Sequence, residues 1–106
     1  RGGAGGRPIT VLVPIARGSE EIETACITDV LVRAGAEVTV ASVEKELLVK
    51  MSRGLNIMAD VPIEECTDRE WDLIALPGGM PGAERLSFSR PLVELLKRQR
   101  KSMRLL

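Results

Sequence analysis

Glu23 and the run Pro77-Gly78-Gly79 are the residues of this 106-residue chain whose types suit acid–base and oxyanion chemistry. Counting four, seven and eleven residues on from Glu23 reaches Ile27, Val30 and Ala34, so on a helix this carboxylate shares an apolar face. Two readings follow. A carboxylate on such a face is partly desolvated, which raises its pKa and lets it share a proton with a nucleophile. Alternatively, Glu23 is a boundary residue whose carboxylate reaches water past the helix end. Paired glycines let the main chain turn sharply and leave amide N–H groups exposed, so Gly78 and Gly79 could supply an oxyanion hole. The other reading of that run is a tight strand-to-helix turn with no ligand. It is not a phosphate loop, because no Lys-Ser/Thr pair follows Gly78-Gly79 and Gly82. Arg17 and Gly18 form a third candidate, for substrate binding, at the end of the first apolar run.

Other chemistries are poorly supplied. The chain has no His, which removes the commonest general base and metal ligand, and its two Cys are far apart, so no metal site is expected. Cys26, between Ile22 and Val30 in a helical pattern, reads as a reduced core residue. Cys66 lies among Glu64, Glu65 and Asp68, which raise a thiol pKa and blunt it. Formal net charge is zero, from 15 basic and 15 acidic residues, so nothing points to a nucleic-acid or acidic-membrane partner. The basic run Lys97, Arg98, Arg100, Lys101 and Arg104 reads as a solvated face favoured by a helix C-terminus. The longest apolar stretch, Ile9 to Ala16, is too short to span a bilayer.

These candidates need elements to hold them. Ile9 to Pro14 is an apolar, β-branched run that reads as a buried strand. Ser19 is a good N-cap for a helix running to about Ala34, with Glu20 and Glu21 as solvated acids in its first turn and Gly35 as its stop. Glu37 to Val43 alternates as a second strand, which makes a βαβ unit and a parallel pair. Leu47–Val49 and Leu55–Met58 flank Ser52-Arg53-Gly54 as short strands around a turn. Pro62 to Asp68 reads as a loop or one helical turn, with Ile63 inward. Trp71 to Leu76 is another buried strand that ends at Pro77. A short helical piece over Ala83–Leu86 follows. Pro91 then opens a last helix, with Leu92, Leu95, Leu96, Gln99 and Met103 on one face. This is an α/β inventory, and it places Arg17, Glu23 and Gly79 near the carboxyl edge of one parallel sheet, where such folds bind ligands. Residues 1–7 are Gly-rich and read as a linker or the remnant of a transit peptide.

The segment from Val11 to Val40 and the block DLIALPGGMPGAERL at 72–86 resemble the DJ-1/PfpI family, in its branch of Parkinson disease protein 7 type with plant relatives. The resemblance covers about Pro8 to Arg100. It implies a flavodoxin-like sandwich built on a parallel sheet and usually homodimeric. It implies a site in which Glu23 shares a proton with a nucleophilic Cys and Gly79 N–H serves the oxyanion, with Gly78 shaping the turn. Arg17 and Gly18 match the loop leading to that glutamate. The activities implied are cofactor-free: glyoxalase action on a small dicarbonyl, methylglyoxal to lactate, and protein deglycation. Stress protection and chaperone-like roles are implied too. The compartment implied is the cytoplasm, or the chloroplast if residues 1–7 belong to a transit peptide.

The family's nucleophile sits in an Ala-x-Cys-Ala/Gly elbow after the next strand, and the last six residues, Lys101 to Leu106, hold no such elbow. Neither Cys26 nor Cys66 matches it, and Met51 stands near a place where some relatives carry another Cys. The reading is therefore a partial domain, residues 8–106, inactive alone. A chain holding only the N-terminal half of such a sheet is expected to be partly molten or to aggregate in isolation. Scanning calorimetry checks this; a sharp transition with a normal heat-capacity change would contradict it.

Overall fold

Strand β1 (Thr10–Ile15) organises the sheet. Val11, Leu12, Val13 and Ile15 are fully buried, as expected of a strand covered on both faces. The computed structural model describes residues 6–101. Most of the expected linker and the last five residues, Met103 among them, lie outside that range.

β1 pairs in parallel with β2 (Glu37–Ser42), from Thr10↔Glu37 to Ile15↔Ser42. The helix α1 (Glu21–Arg33) connects them. A hairpin of β3 (Leu48–Lys50) and β4 (Asn56–Met58) follows, turning at Gly54. The next two strands join the sheet in parallel: β5 (Val61–Pro62) on β2, and β6 (Leu73–Ile74) on β1. The order is β5-β2-β1-β6. A short 3-10 turn (Ile63–Cys66) lies between β5 and β6, and the helices α2 (Gly82–Ser87) and α3 (Arg90–Lys101) close the described chain.

Alternation along β1 divides the core. Val11, Val13 and Ile15 pack with Val49, Met51 and Ala59 of the hairpin region and with Ile27 and Leu31 of α1. Leu12 faces the other way, into a cluster with Ile63, Trp71, Leu86, Leu92 and Leu95. The result is an α/β sandwich on a parallel sheet, as the sequence predicts. Among the described residues no helix is long and apolar enough to cross a membrane.

Three local expectations are corrected. The α1 cap is Glu20, whose carboxylate accepts from Glu23 N; Ser19 Oγ instead accepts from Ala16 N and closes the preceding turn. Glu21 is buried, not solvated, at 7% exposure. Its carboxylate accepts from Ser52 Oγ at 3.0 Å and from the amides of Arg53 and Leu55, because the tight hairpin turn leaves those donors without a main-chain acceptor. Cys26 is exposed on α1 rather than in the core, as are Ile22 and Val30. At its far end α1 stops as expected: Gly35 has φ +94°, and Gly35 and Ala36 donate back to Val32 and Leu31.

Arg7 ties the start of β1 to β6. Its guanidinium donates to Asp72 at 2.9 Å, and the same carboxylate accepts from Thr10 N at 2.8 Å. The Arg7 contact first, then the Thr10 amide, hold the Asp72 carboxyl at about 2, below its ordinary 3.8. A depressed carboxyl pKa stabilises the fold above its unfolded value and loses that contribution as pH falls through the folded one. Asp72→Asn is therefore expected to lower Tm at pH 7, with the gap from the parent chain closing between about pH 5 and pH 2. A gap independent of pH, read from thermal melts, would contradict this.

Candidate functional site

Two loops meet at the carboxyl ends of β1 and β6. The first, Arg17 to Glu20, leads into α1; the second, Pro77 to Pro81, leads into α2. Glu20 N donates to Gly78 O at 2.8 Å, and Gly78 N donates to Glu23 Oε1 at 2.7 Å. Glu20 and Glu23 hold the N-cap and N3 positions of α1, where a capping box would have each carboxylate satisfy the other residue's amide. Only half of that box forms. Glu20 Oε1 accepts from Glu23 N at 2.9 Å, while the N–H and C=O of Gly78 take the other two places. The helix start is thereby welded to the turn.

Glycine makes the approach possible. A Cβ on Gly82 would lie 2.3 Å from Ser19 N, and one on Gly18 would lie 2.5 Å from Pro81 Cδ. Gly79 has φ +97°, and its Cβ would meet Glu20 N at 2.8 Å. Among the described residues Gly79 N–H donates to no protein acceptor, and Glu23 Oε2 accepts no hydrogen bond. The rim thus offers one unspent amide donor and one unspent carboxylate oxygen side by side.

Glu23, Gly78, Gly79 and Gly18 are brought together as the topology implies. Gly18 N is spent on Lys50 O at 3.0 Å, so its contribution is shape. Arg17 is exposed and lines a separate cleft of about 260 Å³ with Glu44, Glu46 and Lys50. The burial expected around Glu23 is absent: Glu23 and Ala34 are exposed, Val30 is 62% exposed, and Ile27 is half-buried. The buried side of α1 runs instead through Glu21 and Thr24 and on to Ile27 and Leu31, which pack against the sheet.

Glu44 is a residue that the sequence did not single out. Its carboxylate accepts from Arg17 N at 2.9 Å and from Arg85 Nε at 2.7 Å, joining the loop after β2 to the first site loop and to α2. Arg85 is the main cause of a Glu44 carboxyl pKa below the ordinary range. Spacing gives no signal for contacts 27 and 41 residues apart. Cys66 is buried beneath α3, and burial first, then its acidic neighbours, push its thiol up to about 11.

Residues 9–106 match the model of the DJ-1/PfpI family. Protein DJ-1 homolog B of Arabidopsis thaliana is 46% identical over 89 residues, covering 84% of this chain and 20% of that protein. The glutathione-independent glyoxalase DJR-1.2 of Caenorhabditis elegans is 40% identical over 84 residues, covering 79% of this chain and 44% of that protein. Among solved structures, oxidized Toxoplasma gondii DJ-1 superposes with a TM-score of 0.88 at 51% identity, covering 89% of this chain and 51% of that one. The chain thus spans about half of that solved structure and less than half of the two curated relatives.

Gly82→Ala is expected to cost about 1–3 kcal/mol, because its Cβ meets main chain that cannot yield. Gly54→Ala, with nothing within 4 Å but φ +98°, is expected to cost about 1 kcal/mol from backbone strain alone. Urea unfolding ranks them; equal costs would contradict the close approach of the two loops.

Proposed function

The chain belongs to the DJ-1/PfpI family, and on that premise we propose that it carries the proton-partner half of a cofactor-free glyoxalase or protein deglycase site. The substrate is a small dicarbonyl such as methylglyoxal. The observation that carries this reading is the Glu23 Oε1 to Gly78 N contact, which fixes the carboxylate beside an amide with no other duty.

In this reading Glu23 is held by one oxygen and works with the other. Oε2 takes the proton of a thiol brought to the rim and returns it to the substrate as the addition intermediate rearranges. Gly79 N–H supports the negative charge that develops on the carbonyl oxygen. The Gly78 peptide keeps both at fixed spacing, so neither must be ordered when substrate arrives. The thiolate is the bond-forming group, and neither cysteine supplies it: Cys66 is buried with a raised pKa, and Cys26, exposed on α1, lines an apolar hollow with Ile27, Val30, Leu31 and Ala75. The 106-residue chain is therefore inactive alone.

A second reading is non-enzymatic: a stress-related chaperone role, or a dimerisation partner of itself or of a full-length relative. The exposed row Ile22, Cys26 and Val30 on α1 favours it, since such a row wants a partner surface.

Purified chain is expected to leave methylglyoxal unconsumed. A chimera in which residues 9–100 replace the matching part of the Caenorhabditis elegans glyoxalase is expected to form lactate. Glu23→Ala in that chimera is expected to lose about 10²-fold or more in kcat/KM. Turnover by the chain alone, or a folded chimera indifferent to Glu23→Ala, would overturn the proposal.

A further inference from the structure

Glu44 stands just past β2, and its main chain is fixed to the sheet. Val43 N donates to Ile15 O at 3.0 Å, and Glu44 N donates to Ser42 Oγ at 3.0 Å. Ser42 is fully buried, and its hydroxyl donates in turn to Glu46 O at 2.7 Å. The base of the Glu44 side chain therefore shares the rigidity of β2.

The carboxylate carries that rigidity outward. One oxygen, Oε2, accepts from both Arg17 N at 2.9 Å and Arg85 Nε at 2.7 Å, while Oε1 accepts from Arg85 Nη2. A guanidinium fork on a carboxylate fixes direction as well as distance. The Glu44 side chain is 15% exposed, so water competes little for it. A hollow of about 240 Å³ opens toward Arg85 and Phe88, and another of about 260 Å³ toward Arg17 and Lys50; Glu44 lines both. With open space toward each partner, the hydrogen bonds rather than packed side chains make the link.

α2 needs such an anchor. It has six residues, too few to hold together alone, and its cap, Pro81, supplies no side-chain acceptor. Leu86 seats it in the core through apolar contact, which is not directional. The Arg85 fork supplies the direction. The first turn of α2 in turn grips the rim: Ala83 N donates to Gly79 O at 2.8 Å, and Arg85 N donates to Pro81 O at 3.0 Å. Gly79 is thus held on both sides, by Glu20 N on the preceding carbonyl of Gly78 and by Ala83 N on its own carbonyl. The first hold belongs to the loop that Glu44 ties at Arg17. The second belongs to the helix that Glu44 ties at Arg85.

We propose that Glu44 is a positioning residue of the rim: anchored to β2, it fixes the Arg17 loop and α2 together and so sets where Gly79 N–H stands relative to the Glu23 carboxylate. It acts through those two elements and is not itself a catalytic group. Its effect on turnover rests on the glyoxalase or deglycase reading above; its effect on α2 does not.

Glu44→Gln keeps an acceptor oxygen for Arg17 N and gives up the charged fork to Arg85. In the chimera with the Caenorhabditis elegans glyoxalase, this variant is expected to lose about tenfold in kcat with KM within about twofold, because a displaced amide is felt by the developing oxyanion and not by ground-state binding. Arg85→Ala is expected to do the same, and the double variant to lose no more than either single one, since both cut the same link. In the 106-residue chain, Glu44→Gln is expected to speed amide exchange at Ala83 by about fivefold or more and to leave Gly35, at the far end of α1, unchanged. An unchanged kcat in a chimera that depends on Glu23, or losses that add in the double variant, would overturn the proposal. So would Ala83 exchange that ignores Glu44→Gln. A chimera without turnover, or one indifferent to Glu23→Ala, ends the glyoxalase reading instead, and Ala83 exchange then decides the role of Glu44 by itself.

Discussion

The main-chain N–H and C=O of Gly78 join the start of α1 to the turn after β6. Its carbonyl accepts from Glu20 N and its amide donates to Glu23 Oε1. Through it the start of α1, which follows β1, is fixed to the turn that follows β6. The cap of α1 is incomplete on its own, and Gly82, where α2 begins, lies against Ser19 with no room for a side chain. The same contact that completes a helix N-terminus also fixes the Glu23 carboxylate.

A second layer of constraint stands behind the loops. Glu21 holds the hairpin turn through Ser52, Arg53 and Leu55, and Gly18 N and Ser52 N lock the hairpin to the first loop. Glu44 does the same from the β2 side, reaching Arg17 and Arg85. Glu20, Glu21, Glu23 and Glu44 thus all act as acceptors for main-chain amides that a tight rim leaves unpaired. Ordinary exposed ion pairs contribute little, but an acceptor aimed at an otherwise orphaned amide removes a desolvation cost. The rim is preorganised for that reason.

Much of this was legible in the sequence. The strands, the βαβ unit, the hairpin, the stop at Gly35 and the short helix after Pro77-Gly78-Gly79 follow from periodicity and turn residues, which are local signals. So does the meeting of Glu23 with Gly78 and Gly79, once the sheet is parallel and both follow carboxyl ends. The burial of Glu21 was not legible, because its donors lie 31 to 34 residues away and no spacing rule reports them. The exposure of Cys26 and Val30 was missed for a different reason. Apolar periodicity says that a face wants cover; it does not say whether the cover belongs to the same stretch of chain. The expectation of a partly desolvated Glu23 failed on that same point.

The central claim is that the Gly78 amide and the Glu23 carboxylate are already locked together in this chain. The most direct measurement is the amide proton of Gly78 in the 106-residue chain and in Glu23→Ala, by NMR shift and hydrogen exchange. In the parent chain Gly78 is expected to be downfield and slow, while Gly79 is fast; in Glu23→Ala the Gly78 signal moves upfield and its exchange speeds up by about tenfold or more. A Gly78 amide that exchanges freely in the parent chain, or that ignores the loss of the Glu23 carboxylate, would contradict the account.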